Sequence, residues 1–208
     1  MSDIAPFLPG LFAALGVFAM GFLVIGPNIA AIMATSMAHG RRRGLAMACG
    51  VALGSIIWAT LTVMGLASII TAYAGAVLVL KLFGAAFLLW LAVKALRSAA
   101  SAHHPAKAPP ARGNAFLAGL AIQMTNPKAA LSWIAVASIA MNGNAPWQIA
   151  ILLVALAGPI SLLGHAAYAT LFSTRAVVAG YARARRWIEG ALGAFFTFAA
   201  WRLATERT

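Results

Sequence analysis

Two short motifs, a hundred positions apart, carry residue types suited to binding a charged small molecule. Gly26-Pro27-Asn28 and Asn126-Pro127-Lys128 each set an asparagine beside a proline within apolar surroundings. Proline lacks an N–H and clashes with the preceding turn, so it kinks or breaks an apolar helix. In a bilayer, non-helical backbone is tolerated only where it is buried in protein or lines a cavity. A helix that starts at each proline would turn unpaired N–H groups and partial positive charge toward that cavity, which suits a carboxylate. Asn28 and Asn126 add amide donors and acceptors, and Lys128 adds a full charge. A mid-membrane lysine costs ~2.5–3.5 kcal/mol on insertion scales and marks function by default. The alternative is a pair of packing kinks with Lys128 snorkelling; matched interruptions in two halves favour the site.

The elements that hold these motifs follow from composition. The chain has 208 residues, of which 63% are hydrophobic and 9% charged. Soluble domains carry roughly a quarter charged residues, so there is too little polar surface here to coat a water-soluble globule. Charge-free runs cover 4–40, 44–80 and 129–174. A span needs about 20 apolar residues, so the last two runs hold two spans each. Turn signals at Thr71–Gly75 and Asn142–Pro146 divide them. The pattern predicts an all-α integral membrane protein with six helices, over 8–38, 45–70, 76–97, 114–140, 147–172 and 187–204. Residues 98–113, rich in Ala, Pro, His and basic side chains, read as a cytoplasmic linker between a first unit, 1–97, and a second, 114–208. Met1-Ser2-Asp3 offers no basic n-region, so the first apolar run is expected to stay as a span and not be cleaved. Cys49 is the single cysteine, which excludes a disulfide framework.

Basic residues set the expected orientation. Most of the 15 Lys and Arg cluster in three places: Arg41–Arg43; Lys94, Arg97, Lys107 and Arg112; and Arg175, Arg183, Arg185 and Arg186. The other connections hold none, so the positive-inside rule puts these clusters in the cytoplasm and both termini outside. A net charge of +12 could otherwise suggest nucleic acid, but no polar face exists to carry it. The two halves also resemble each other. Phe18-x-x-Gly21 precedes Pro27 as Phe116-x-x-Gly119 precedes Pro127, and Gly84-Ala85-Ala86-Phe87 parallels Gly193-Ala194-Phe195-Phe196. A three-helix unit used twice is inverted in its second copy, and interrupted helices in corresponding places mark a transporter's substrate site. By helix rise, Pro27 and Pro127 both fall near the midplane, ~20 Å from the basic ends of their helices.

The ordered set Gly26-Pro27-Asn28, Gly40-Arg41-Arg42-Arg43-Gly44, Gly50-x-x-x-Gly54, Lys81-x-x-Gly84, Leu89-Trp90-Leu91 and Asn126-Pro127-Lys128-Ala129-Ala130-Leu131 resembles the lysine-exporter (LysE/RhtB) family of bacterial amino-acid exporters. The resemblance covers essentially the whole chain. It implies export of amino acids across the bacterial cytoplasmic (inner) membrane, driven by the proton motive force and without a cofactor. Many members carry an acidic residue just after the second glycine of Gly-x-x-x-Gly, where this chain has Ser55, and Pro-Gln after the Asn-Pro-Lys run, where this chain leads into Met141-Asn142-Gly143. These departures bear on the substrate more than on the class. A dibasic substrate wants a carboxylate in the membrane. The one candidate, Glu189, sits near the cytoplasmic end of the last helix, which favours a neutral amino acid.

The expected substrate-binding set is therefore Gly26, Pro27, Asn28, Asn126, Pro127 and Lys128, with Lys81, His165, Glu189 and Ser55 as candidates for gating or proton coupling. Lys81 and Glu189 also fit as interfacial anchors, and His165 as a helix-bonded core histidine. His39 beside the arginine cluster reads as a surface group, and His103-His104 lack companion ligands for a metal. Gly50-x-x-x-Gly54 permits close packing within one bundle or between two copies in a homodimer. The competing reading is a channel or pore for small neutral solutes, which needs no matched broken helices. An intramembrane enzyme is excluded by the lack of any acid in the first five helices.

Overall fold

The computed structural model describes residues 4–72, 76–101, 113–141 and 145–205, and within these not the side chains of 66–72, 76–81, 84, 87, 175, 178 and 202–204. The described residues form a 3-10 turn, Ala5–Phe7, and eight α-helices with no strand. These are α1 (Leu8–Gly21), α2 (Pro27–His39), α3 (Arg41–Ala72), α4 (Ala76–Ala100), α5 (Ala115–Met124), α6 (Pro127–Ala140), α7 (Trp147–Leu171) and α8 (Arg175–Thr205). The expected turns at 71–75 and 142–146 and the linker at 98–113 fall largely outside the described residues.

Two expected helices are each split in two, and both splits fall at the prolines. Pro27 and Pro127 start new helices, at a position where a missing N–H leaves no bond unmade. Gly26 precedes α2 in an extended conformation. Asn126 precedes α6 likewise, and its Oδ1 accepts from the Lys128 N–H at 3.0 Å, capping the helix. Asn114 caps α5 in the same way through the N–H groups of Phe116 and Leu117. Between α2 and α3 the link is one residue, Gly40, whose φ of 80° suits glycine.

The last helix begins about three turns before the expected 187. Its early part is amphipathic: Val177 and Tyr181 dock on the cluster of Ile29, Met33 and Phe172, while Arg183 and Arg186 face outward. The span forecast follows apolar length and so passes over this charged, docked extension.

Helix α3 is the hub, packed on α2, α5, α6 and α7; α1 packs on α6 and α7, and α4 on α6 and α8. The α3–α5 seam is built from glycines. A Cβ at Gly50 would strike the Phe116 carbonyl and Leu120 nitrogen, and one at Gly119 would strike the Met47 carbonyl. Gly54 meets the Gln123 side chain at 2.9 Å in the same sense. The Gly50-x-x-x-Gly54 face is thus used inside the chain, where small residues let backbones approach. The outer surface is apolar, with Phe12, Leu61, Met64, Trp147 and Leu163 all exposed. That surface suits lipid, since soluble monomers seldom expose large contiguous apolar patches.

Gly50→Ala should lower the melting temperature of purified protein in detergent, because the added methyl meets backbone that cannot swing aside; overpacking costs ~1–3 kcal/mol. Gly16→Ala, where nothing lies within 4 Å of the new methyl, should leave it unchanged or slightly raised.

Candidate functional site

Unwinding α1 at Gly21 releases backbone groups over residues 22–26, and two of the carbonyls take their partners from distant helices. The Phe22 carbonyl accepts from the Tyr168 hydroxyl of α7 at 2.7 Å. The Val24 carbonyl accepts from the Lys128 ammonium of α6 at 2.6 Å. Phe22 itself is wedged against α7: its ring lies edge-on to the His165 ring at 4.8 Å and beside Gly164, where a Cβ would come within 2.7 Å.

A cavity of about 70 Å³ opens beside this segment, roomy enough for about five waters or one small solute. Asn28, Ser55, Gln123, Asn126, Lys128 and His165 line it together with the aromatic rings of Phe18, Phe22 and Trp133. Asn28 Nδ2 donates to Gln123 Oε1 at 2.9 Å, joining α2 to α5, and the Gln123 carbonyl accepts from Trp58 at 3.2 Å. The Trp133 indole donates to Ser55 Oγ at 3.1 Å. His165 Nδ1 lies 2.8 Å from the Ser161 carbonyl, which only accepts, so Nδ1 carries a hydrogen. Asn126 Nδ2 is buried without a hydrogen-bond partner among the described residues.

The electrostatics are one-sided. Lys128 is 8% exposed and has no carboxylate partner, since the one ion pair among the described residues joins Arg185 to Glu189 at 3.1 Å on α8. A buried cation without a counter-charge is costly. Here one carbonyl holds it, and the ammonium keeps donors to spare for an anion. Among the described residues no group of His, Cys, Asp and Glu could hold a metal.

Residues 19–207 match the LysE type translocator family. The chain belongs to that family. It is 30% identical over 205 residues to an uncharacterized membrane protein of Escherichia coli, YahN, covering 96% of this chain and 91% of that one. It is 28% identical to the threonine efflux protein of Salmonella typhi, over 82% of this chain and 85% of the relative. It is 30% identical to the leucine efflux protein of Klebsiella pneumoniae, over 88% and 89%. No solved structure matches it. This LysE type translocator is accordingly a transmembrane transport protein and not an enzyme.

Within the translocator, the residues singled out from sequence do not all meet. Asn28, Asn126, Lys128, Ser55 and His165 share the cavity. Gly26 is buried beside it with Lys128 Nζ 3.3 Å from where its Cβ would be, whereas Pro27 is exposed. Glu189 lies apart, bonded to Arg185, which also donates to the Ser98 carbonyl and hydroxyl at the end of α4. The side chain of Lys81 lies outside the described residues. Sequence reasoning missed Gln123 and Tyr168 as site-building groups. The available signal for Gln123 was a lone amide in an otherwise apolar helix, where polar groups are expensive.

Tyr168→Phe should destabilise the protein by ~1–2 kcal/mol, the cost of leaving the partly buried Phe22 carbonyl unpaired, read as a lower unfolding midpoint in detergent.

Proposed function

We propose that this translocator is a secondary active exporter that moves a neutral amino acid out of the bacterial cytoplasm, driven by the proton motive force. The observation that carries the reading is the buried Lys128 ammonium, free of any carboxylate among the described residues, on a cavity at the junction of two helix breaks. The substrate carboxylate sits between Lys128, the orphan amide of Asn126 and the N-termini of α2 and α6. Glu189 is the one described acid and is already paired, so a second substrate cation would find no counter-charge. The threonine and leucine efflux proteins among its relatives agree with a neutral substrate.

The chain crosses the membrane six times in this reading. Helices α1, α2, α5 and α6 have 14, 13, 10 and 14 residues, each too short to span alone, so each broken pair makes one crossing. The packing supports two inverted repeats of three spans. Exchanging α1–α4 for α5–α8 turns the α3–α5 contact into α7–α1, α3–α6 into α7–α2, and α1–α6 into α5–α2, and all of these occur. The α4–α8 and α3–α7 contacts map onto themselves. The breaks then lie near the midplane and the basic clusters face the cytoplasm.

Lys128→Gln should insert normally yet lose at least about 90% of export, measured as amino acids released from dipeptide-fed cells; normal export from a well-expressed variant removes the carboxylate site. Collapse of the proton gradient should abolish release against a concentration gradient, whereas a channel would only equilibrate. Once the exposed Cys49 is changed to serine, Arg42→Cys should react with a membrane-impermeant thiol reagent only from the cytoplasmic side; labelling from outside rejects the orientation.

A further inference from the structure

The α-ammonium of an amino acid needs an acceptor near the lysine that takes its carboxylate. Two of the carbonyls released at the first break are already engaged, that of Phe22 by Tyr168 and that of Val24 by Lys128. We infer that the acceptor is Asn28 Oδ1, and that Gln123 is the positioning residue that keeps this oxygen, not the amide NH2, turned toward the substrate. The inference rests on the amino-acid reading above.

The geometry is centred on Gly26. The point where a Cβ would stand is 3.0 Å from Asn28 Oδ1 and 3.3 Å from Lys128 Nζ, so the two polar atoms are at most about 6 Å apart. An amino acid holds its nitrogen and nearer carboxylate oxygen about 3 Å apart. With charge-assisted hydrogen bonds of about 2.8 Å at both ends, its head group bridges such a gap along a bent path. Gly26 is extended, φ −98°, so glycine is not required there by the backbone. Its missing methyl is what leaves the space between the two atoms open.

An asparagine amide can present either end, and two contacts decide which. Gln123 Oε1 accepts from Nδ2 at 2.9 Å, which occupies the NH2 end. The Lys128 ammonium on the other side favours an oxygen facing it over a second donor. Gln123 is itself buried, 3% exposed, with its Cβ and Cγ packed against Gly54. Without Gln123 the Asn28 amide is free to turn over and offer NH2, which repels an ammonium and can only donate.

The test is equilibrium binding to the purified protein, read as ligand-induced thermal stabilisation. L-leucine and L-threonine are compared with their 2-hydroxy counterparts, 2-hydroxy-4-methylpentanoate and 2,3-dihydroxybutanoate, which keep the carboxylate and lose the ammonium. The wild type should prefer an amino acid over its hydroxy acid by about tenfold or more. Gln123→Ala should bring that ratio near one by weakening the amino acid alone. Gln123→Glu, whose carboxylate accepts from Nδ2 and also adds a negative charge to the cavity, should keep the ratio at or above that of the wild type. An unchanged ratio in Gln123→Ala, or equal weakening of both ligands, overturns the inference while leaving the exporter reading intact. If Gln123→Ala does not yield folded protein, a ratio near one in Gln123→Glu overturns it equally. A wild type that binds neither amino acid but takes another solute overturns both readings together.

Discussion

Backbone groups set loose in an apolar interior must find partners, and the interior of this translocator is arranged around that need. Stopping α1 at Gly21 frees carbonyls that would otherwise continue the helix. Unpaired, each would cost on the order of 1–3 kcal/mol. They are held by a hydroxyl from α7 and an ammonium from α6. The bonds that stabilise the first break are therefore also the bonds that join the two halves and draw Lys128 to the cavity. Structure and site share the same atoms, so a substitution at Lys128 touches both, and a loss of transport there has to be read alongside a measure of folding.

The electrostatics of the cavity follow from what it lacks as well as what it holds. A lysine, three amides and a histidine line it, with no described carboxylate nearby. In a low-dielectric setting an isolated cation draws in an anion and resists a second positive charge unless that charge arrives with its own counter-ion. A zwitterion meets that condition, since its carboxylate stands beside its ammonium. The rings of Phe18, Phe22 and Trp133, with Phe18 and Trp133 tilted at 39° and 4.7 Å apart, give the cavity an apolar wall.

Much of this was legible in the sequence, and the limits have physical causes. Apolar run length marks the spans. The breaks at Pro27 and Pro127 could be foreseen because the two prolines stand in matching places of the two halves, each beside an asparagine. Pro159 also follows a glycine, Gly158, yet sits inside α7 without ending it, so a Gly-Pro pair alone does not mark a break. Motif spacing pointed to Asn28, Asn126 and Lys128 without saying which atoms face which. The bonds to Gln123, Tyr168 and Val24 join residues 95, 146 and 104 positions apart, and nothing in local periodicity encodes such pairings. The docked start of α8 was hidden because its arginines resemble a loop when judged by hydropathy alone.

The glycine seam has a consequence for how the molecule is made. The ribosome delivers α3 with its notch at Gly50 and Gly54 well before α5 exists to fill it. Until then lipid chains must occupy the notch, and the carbonyls after α1 must stay wetted or bound to transient donors. A chain stopped after α4 is thus an unfinished object with a groove and a frayed helix, not a smaller stable unit. Its completion waits on the last helices to leave the translocon, so assembly of this fold is a late, all-chain event.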